Sequence, residues 1–384
     1  MTQKKKLLYI MRYRLDENFN LKAKFNGQIR AFENLGYDVS YIGFDSENFY
    51  LINGVKKEVI GKTHFCVPSY VHTMFYYDLH RIVLKLLKRE NWDYVYWRSG
   101  PCWLSSCKIA STVNQMSTKL IYEYPTFPIK REKQFSVLRQ LFLYYSDWLQ
   151  KSIDKKVDLF VMIGEDARGS YKDKPALNIT NGIDMTSIEP RKRMLDQEVI
   201  HILALASMSY WHGYDRLIRS LAEYRGEQPV IIHMVGGNDG GSLEEWRQLA
   251  EILDLGDKVV FHGAKSGEAL EEMFNLCDIG VNSLGMYRKG FQMTSELKTR
   301  EYAARGLPFI CSVEDPALTD VEEPLWHQVS NDDQIPNMQD IVDFALRMRE
   351  DQHCVEKLRT YAMEHMTWES QYEKVFCLLE GEQQ

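Results

Sequence analysis

The chain of 384 residues is long enough for about two domains at roughly 100 to 200 residues each, and its 45% apolar and 26% charged content is that of a folded globular protein. Forty-seven basic against 54 acidic residues leave a net charge of −7, so no overall basic excess exists to neutralise a phosphate backbone, which argues against nucleic-acid binding as the main activity. Seven scattered cysteines without CxxC spacing read as free thiols of a reducing cytoplasm, and no metal-ligand cluster is visible.

The opening, MTQKKKLLYIM, passes from basic to apolar residues, but the apolar run is only Leu7 to Met11. It reads as a first strand and not as a signal peptide. No stretch approaches 18 consecutive apolar residues, so no membrane span is expected. A long loop, RYRLDENFNLKAKFNG, and a helix from about Gln28 to Leu35 closed by Gly36 lead to the strand YDVSYIG. This is the opening βαβ of a doubly wound sheet. A dinucleotide site there needs GxGxxG, and Gly27 stands alone, so an NAD-linked dehydrogenase is disfavoured.

Leu79, Ile82, Val83, Leu86 and Leu87 recur at helical spacing ahead of the strand DYVYWR (93–98). The next strand, KLIYEYPTFP (119–128), ends in a proline-bounded loop carrying Glu123, which could act as a base, or equally cap a neighbouring backbone. Phe135, Leu138, Phe142, Tyr145 and Leu149 then line one stripe of a helix whose Lys130, Arg131, Lys133, Arg139 and Lys151 are basic. Such a helix can face a core or lie on anionic lipid. Asn181 to Asp184, NGID, close this half, with Gly182 expected to permit a tight turn.

Residues 185–198 are polar and charged and read as a linker. Strands VIHILALAS (199–207), PVIIHMVGG (229–237) and KVVFHG (258–263) alternate with helices, a second doubly wound pattern. Trp211, His212 and Gly213 occupy the turn after the first of these strands, at a carboxyl end where open α/β sheets bind ligands, and Gly236, Gly237, Gly240 and Gly241 are read as a mobile loop after the second. Helical segments at 340–350 and 355–366 precede a last one with Trp368, Tyr372, Val375, Phe376 and Leu379 on one face.

The most informative stretch is RKGFQMTSELKTREYAARGLP (288–308), between the apolar runs DIGVNSL (278–284) and LPFICSV (307–313). Ser295 suits an N-cap, and Gly306 with Pro308 is a stop signal, so a helix over 295–305 connects two parallel strands. Its amino end, preceded by Arg288, Lys289 and Gly290, suits an anion such as a diphosphate. Lys298 and Glu301, three apart, share a face. Lys298 could reach a phosphate and Glu301 could accept ribose hydroxyls; a solvated Lys/Glu pair is the plain alternative.

The run S-E-L-K-x-x-E-Y-x-A-x-G-L-P resembles the nucleotide-sugar signature of GT-B glycosyltransferases of the family 4 type, found in bacterial capsule and exopolysaccharide synthesis. The resemblance implies two Rossmann-like α/β domains facing across a cleft: an acceptor domain (1–184), a nucleotide-sugar domain (199–366) and a C-terminal helix (367–384) crossing back to the first. It implies that Glu301 binds the ribose of the donor, that Thr294, Ser295, Glu296 and Leu297 hold its diphosphate by their backbone, and that His212 and Gly213 meet the diphosphate at a turn where relatives carry a lysine. Asn26 and Gly27, with Lys22 and Lys24, match a loop facing the cleft, Gly236 belongs to the donor side, and E-Y-P-T-F-P resembles an acceptor-side loop, with Glu123 in it. The chain departs from the E-x7-E form, having Met293 where the first glutamate stands.

The expected function is a retaining, metal-independent hexosyltransferase that moves a sugar from a nucleotide-diphosphate donor to a glycan or polyprenyl-diphosphate-linked acceptor. Lys298, Arg288 or Lys289, and His212 would stabilise the departing diphosphate. No cofactor is expected, the nucleotide sugar being a substrate. The location is the cytoplasm, with a peripheral contact at the inner membrane face allowed by the basic helix. The rivals are a non-hydrolysing nucleotide-sugar epimerase and an inactive GT-B subunit that stabilises a partner transferase.

Overall fold

A computed structural model describes residues 4–15, 21–63, 71–127, 137–164, 169–194, 198–237, 241–318 and 324–381, without the side chains of 71–74 and 137–139. The chain divides into two compact units, residues 1–182 with 368–384, and residues 183–367.

The first unit contains β1 (Lys6–Arg14), α1 (Lys22–Asn34), β2 (Asp38–Phe44), β3 (Asn48–Asn53), β4 (Lys56–Lys62), α2 (Val71–Arg89), β5 (Tyr94–Arg98), α3 (Leu104–Gln115), β6 (Lys119–Phe127), α4 (Val137–Asp154), β7 (Leu159–Gly164), β8 (Ser170–Tyr171) and β9 (Lys174–Ile179). Its sheet runs β4-β3-β2-β1-β5-β6-β7-β9-β8. The strands from β2 to β9 in that order pair in parallel, while β3, β4 and β8 are antiparallel additions at the edges. Leu7 to Ile10 are fully buried, as expected of a central parallel strand covered on both faces.

The second unit contains β10 (Ile200–Leu205), α5 (Tyr214–Glu223), β11 (Val230–Val235), α6 (Ser242–Ile252), β12 (Val259–Gly263), α7 (Glu268–Leu276), β13 (Ile279–Val281), α8 (Leu297–Arg305), β14 (Phe309–Cys311), β15 (Trp326–Gln328), α9 (Met338–Glu350) and α10 (Cys354–His365). The order β12-β11-β10-β13-β14-β15, all parallel, is that of a Rossmann sheet. The order reverses between β10 and β13, which makes the carboxyl ends of those two strands the switch point. The last helix, α11 (Trp368–Glu380), belongs to the first unit, where Tyr372 stacks on Phe32 at 4.2 Å and Glu380 pairs with Lys5 at 2.7 Å.

Three local expectations change. The segment read as a linker is anchored in the second unit. Arg191 is buried, donating to the carbonyls of Gly306 and Cys277, and Arg193 donates to Asp351 at 2.8 Å and Met348 at 3.3 Å. These carbonyls end α7, α8 and α9, where a guanidinium satisfies unpaired oxygens and faces the negative end of the helix dipole. Gly182 has no positive φ; a Cβ there would come within 2.6 Å of the Trp368 nitrogen, so space and not turn geometry requires glycine. The helix placed at Gln28 begins at Lys22, which puts Asn26 and Gly27 inside α1 and not in a loop.

Candidate functional site

The switch point of the second unit is assembled by two segments that leave neighbouring strands. The segment after β10 forms a short turn, Tyr210–His212, ending at Gly213 in the left-handed region (φ 65°). The segment after β13 passes beside it, with the Leu284 N–H donating to the His212 carbonyl at 2.7 Å. A Cβ on Gly213 would lie 2.5 Å from the Gly285 nitrogen, so two backbones touch where a side chain has no room.

Lys298, in the first turn of α8, reaches into this junction. Its Nζ lies 3.2 Å from the Tyr214 hydroxyl and 3.2 Å from Ser283 Oγ. Both partners are neutral, and among the described residues no carboxylate oxygen comes within the 4.0 Å of an ion pair. Burial pushes the ammonium's pKa down, while Glu296 pulls it up. An ammonium held by hydroxyls gains from them only part of the stabilisation that a counter-charge would supply.

His212 corrects an expectation. Burial first, then the charges of Lys298 and Lys289, lowers its pKa to about 3, so without a bound anion the imidazole is neutral. Its Nδ1 accepts the Ser209 N–H at 3.1 Å, which leaves the proton on Nε2 as a donor. Arg288 already has a counter-charge in this structure. It forms a two-pronged pair with Asp215, at 2.9 and 2.7 Å, and donates to the Tyr210 carbonyl at 2.7 Å, tying the two loops together. Lys289 is exposed, with Nζ 4.3 Å from the centroid of the Trp211 ring.

The helix expected over 295–305 spans Leu297–Arg305, and Glu296, not Ser295, is its cap residue. The Glu296 side chain does not cap it. The Glu296 carboxylate turns instead to Ser283, accepting its N–H at 3.0 Å and its hydroxyl at 2.5 Å. Leu297 is 42% exposed at the first helical position. Thr294 gives its N–H to the Glu314 carbonyl at 2.9 Å, beside a parallel bridge between Met293 and Glu314. Glu301, one turn past Lys298, meets Arg305 at 3.4 Å, and its pKa is raised by desolvation more than Arg305 lowers it. Gly236 has φ 142°, and a Cβ would fall 1.7 Å from the Ala206 carbonyl; glycine there lets two strand ends approach.

The first-unit candidates are not gathered into an open site. Glu123 lies within β6, fully buried, accepting from Arg98 at 2.7 Å and from the Tyr96 hydroxyl at 2.8 Å. A carboxylate so enclosed and paired cannot serve as a base for an arriving hydroxyl, and that expectation is overturned. Asn26 accepts the Tyr13 hydroxyl at 2.6 Å, and Gly27 is buried in α1. Of the basic helix, Lys130, Arg131, Lys133 and Phe135 lie outside the described residues, as do the side chains of Leu138 and Arg139. In α4, Leu149 is buried while Leu141, Tyr144, Tyr145 and Trp148 are exposed.

Sequence reading did not find Tyr214 and Ser283 as partners of Lys298, because nothing in local spacing links positions 84 and 15 residues away. It also missed a ladder of three imidazoles on β10, β11 and β12: His201 Nδ1 to His233 Nε2 at 2.8 Å, and His233 Nδ1 to His262 Nε2 at 2.9 Å. A histidine in each of three successive strands was the available signal. Among the described residues no three His, Cys, Asp or Glu side chains form a metal-ligand group, and no helix is long and apolar enough to cross a membrane. Cys66 lies outside the described residues; the other six cysteines are free.

Comparison with known structures identifies the architecture. Sucrose-phosphate synthase from Thermosynechococcus elongatus is similar over 98% of this chain and 99% of its own, at 14% identity and a TM-score of 0.64. The catalytic domain of starch synthase IV from Arabidopsis thaliana, bound to ADP and acarbose, covers 98% and 99% at 12% identity and a TM-score of 0.64. WaaG, a glycosyltransferase involved in lipopolysaccharide biosynthesis, covers 98% and 100% at 14% identity and a TM-score of 0.57. The fold is GT-B. At such identity the likeness speaks for the GT-B architecture and not for a substrate. Within it, residues 186–362 match the family model described as glycosyl transferases group 1, a span lying inside the second unit. No curated protein matches the chain. The second GT-B unit is therefore the one that carries both the family match and the Lys298 junction.

Proposed function

We propose that this protein is a retaining glycosyltransferase that moves a hexosyl group from a nucleotide-diphosphate donor to a glycan or polyprenyl-diphosphate-linked acceptor in bacterial surface polysaccharide synthesis. The observation that carries the reading is Lys298, an ammonium at the switch point of a Rossmann sheet whose hydrogen-bond partners among the described residues are two neutral hydroxyls at 3.2 Å. The diphosphate of a donor supplies the missing negative charge, and Lys298 with the Nε2–H of His212 stabilises it as it leaves. Glu301 accepts the ribose hydroxyls. Lys298, His212 and the amino end of α8 do this work without a divalent metal. The family match over 186–362 supports sugar transfer as the reaction class.

Screening UDP-, GDP- and ADP-sugars for thermal stabilisation tests this, since a bound donor raises apparent stability by mass action. One of them should raise the melting temperature and be consumed only when an acceptor is present. Consumption of the donor alone favours the epimerase; absence of binding by all three classes favours the inactive subunit.

A peripheral membrane contact is favoured by one feature. Leu141, Tyr144, Tyr145 and Trp148 follow i, i+3, i+4, i+7 spacing on α4 and are 60%, 65%, 38% and 63% exposed, an apolar aromatic face turned to solvent. Co-sedimentation with anionic phosphatidylglycerol vesicles should fall on replacing Tyr144 and Trp148 by serine. Equal sedimentation of both proteins rejects the contact.

A further inference from the structure

Glu296 stands at the start of α8, yet its carboxylate is turned inward. Oε2 accepts the Ser283 N–H at 3.0 Å and Oε1 accepts the Ser283 hydroxyl at 2.5 Å. A serine hydroxyl has one hydrogen. With that hydrogen given to Glu296, Ser283 Oγ can meet Lys298 Nζ, 3.2 Å away, only as an acceptor. The Tyr214 hydroxyl is fixed in the same sense, lying 3.2 Å from the carbonyl oxygens of Leu205 and Val281, which accept only. Its hydrogen goes to one of them and a lone pair faces Lys298. Two of the three ammonium hydrogens are thereby assigned and one remains.

We propose that Glu296 is a positioning residue: by orienting the Ser283 hydroxyl as an acceptor it fixes the Lys298 ammonium and leaves its third N–H for the diphosphate of the donor. The final clause rests on the function proposed above; the orienting role does not. The groups around the ammonium are Tyr214 of α5, Ser283 after β13, His212 before α5 and Glu296 itself. His212 is neutral and offers no counter-charge. Glu296 supplies the negative charge that opposes desolvation of Lys298, through one intervening hydroxyl and without contact.

The amide variant separates this role from a merely structural clamp. In Glu296→Gln the side-chain oxygen can still accept the Ser283 N–H, so the loop stays tied. Its NH2 group donates to Ser283 Oγ, which turns the serine hydrogen toward Lys298, where two donors meet. The ammonium then loses an acceptor and a nearby negative charge together.

Competitive acetylation with acetic anhydride between pH 6 and 10, read by mass spectrometry with Lys289 as internal reference, reports the protonation of Lys298 without any nucleotide. Glu296→Gln should increase labelling of Lys298 about tenfold at a given pH, equivalent to one pKa unit. Ser283→Ala, which removes the acceptor and leaves the carboxylate, should increase it by a smaller factor. Labelling profiles unchanged in both variants overturn the proposal. Calorimetry with UDP, GDP and ADP completes the test. Shifted labelling in a protein that binds none of the three keeps Glu296 as the residue that fixes Lys298 and removes the donor reading. Tight nucleotide binding with unshifted labelling does the reverse.

Discussion

Lys298 and Tyr214 are 84 residues apart in sequence and 3.2 Å apart at the switch point of the second unit. Tyr214 opens α5, which follows β10, and Lys298 lies in the first turn of α8, which follows β13. Because β10 and β13 are neighbours whose connections leave in opposite directions, the amino ends of both helices meet at one crevice. Tyr214→Phe removes an acceptor from Lys298 and a donor from the strand carbonyls. We expect about a tenfold loss of affinity for the stabilising nucleotide, of the size of a hydrogen bond to a charged group. Titration calorimetry measures it; unchanged affinity removes Tyr214 from the site.

Lys298→Ala should lower turnover more than binding. A group that meets the leaving diphosphate most strongly in the transition state contributes to kcat, and loss of one such donor costs on the order of 100-fold. Steady-state kinetics with donor and acceptor would show the fall in kcat, with the nucleotide Kd changed by less than about tenfold. Wild-type turnover in this variant sinks the assignment.

Glu301→Ala separates binding from folding. The side chain is 30% exposed, and its contacts to Arg305 are long, at 3.4 Å, so its removal leaves the core intact. Nucleotide binding should weaken by roughly tenfold or more, the loss of hydrogen bonds to a carboxylate, while the melting temperature of the ligand-free protein stays within about 2 °C. A large fall in that temperature with binding retained makes Glu301 a structural residue.

Glu123→Ala should act through stability. Its carboxylate is fully buried and paired with Arg98, itself 13% exposed, at 2.7 Å. Removing one partner strands a buried guanidinium, at a cost of about 3 to 5 kcal/mol. Denaturant unfolding followed on the first unit's tryptophans would register it. A variant with normal stability and abolished transfer would restore Glu123 as a catalytic base.

Acid should destabilise both units. His80 in the first unit is lowered to about 3 by burial, and His233 in the second to about 4 by burial and by its two histidine neighbours. Both lie below the ordinary value of 6.5, so the unfolded chain binds more protons than the folded one. The stability they contribute is complete above pH 6.5 and is lost as pH falls from there toward their folded values. Melting temperatures should therefore drop between pH 6.5 and 5, and His80→Asn should flatten that slope. An equally steep slope in the variant rejects the assignment for His80.

Several elements were legible because the signal is local. Leu7 to Met11 read as a buried strand from an unbroken apolar run, and Tyr214, Leu217, Ile218 and Leu221 as one helix face from spacing; all are buried. Gly306 ends α8 with φ 75°, as a glycine before Leu-Pro foretold. Gly54, at φ 54°, opens the two-residue turn Gly54–Val55 between β3 and β4, a local hairpin signal. Lys172 and Asp173, at φ 51° and 62°, turn β8 into β9 without glycine; aspartate tolerates that region, but Lys172 carries no such signal.

By itself the sequence determined the two doubly wound units and singled out the 288–308 stretch, since periodicity, glycine stops and an S-E-L-K run are properties of neighbours along the chain. Tertiary structure decided which charges remain available. Arg288 is paired with Asp215, Glu123 with Arg98, and His212 is kept neutral by burial, whereas the hydrogen-bond partners of Lys298 among the described residues are hydroxyls. Protonation and pairing depend on desolvation and on partners brought from distant positions, and neither is written in the order of adjacent residues.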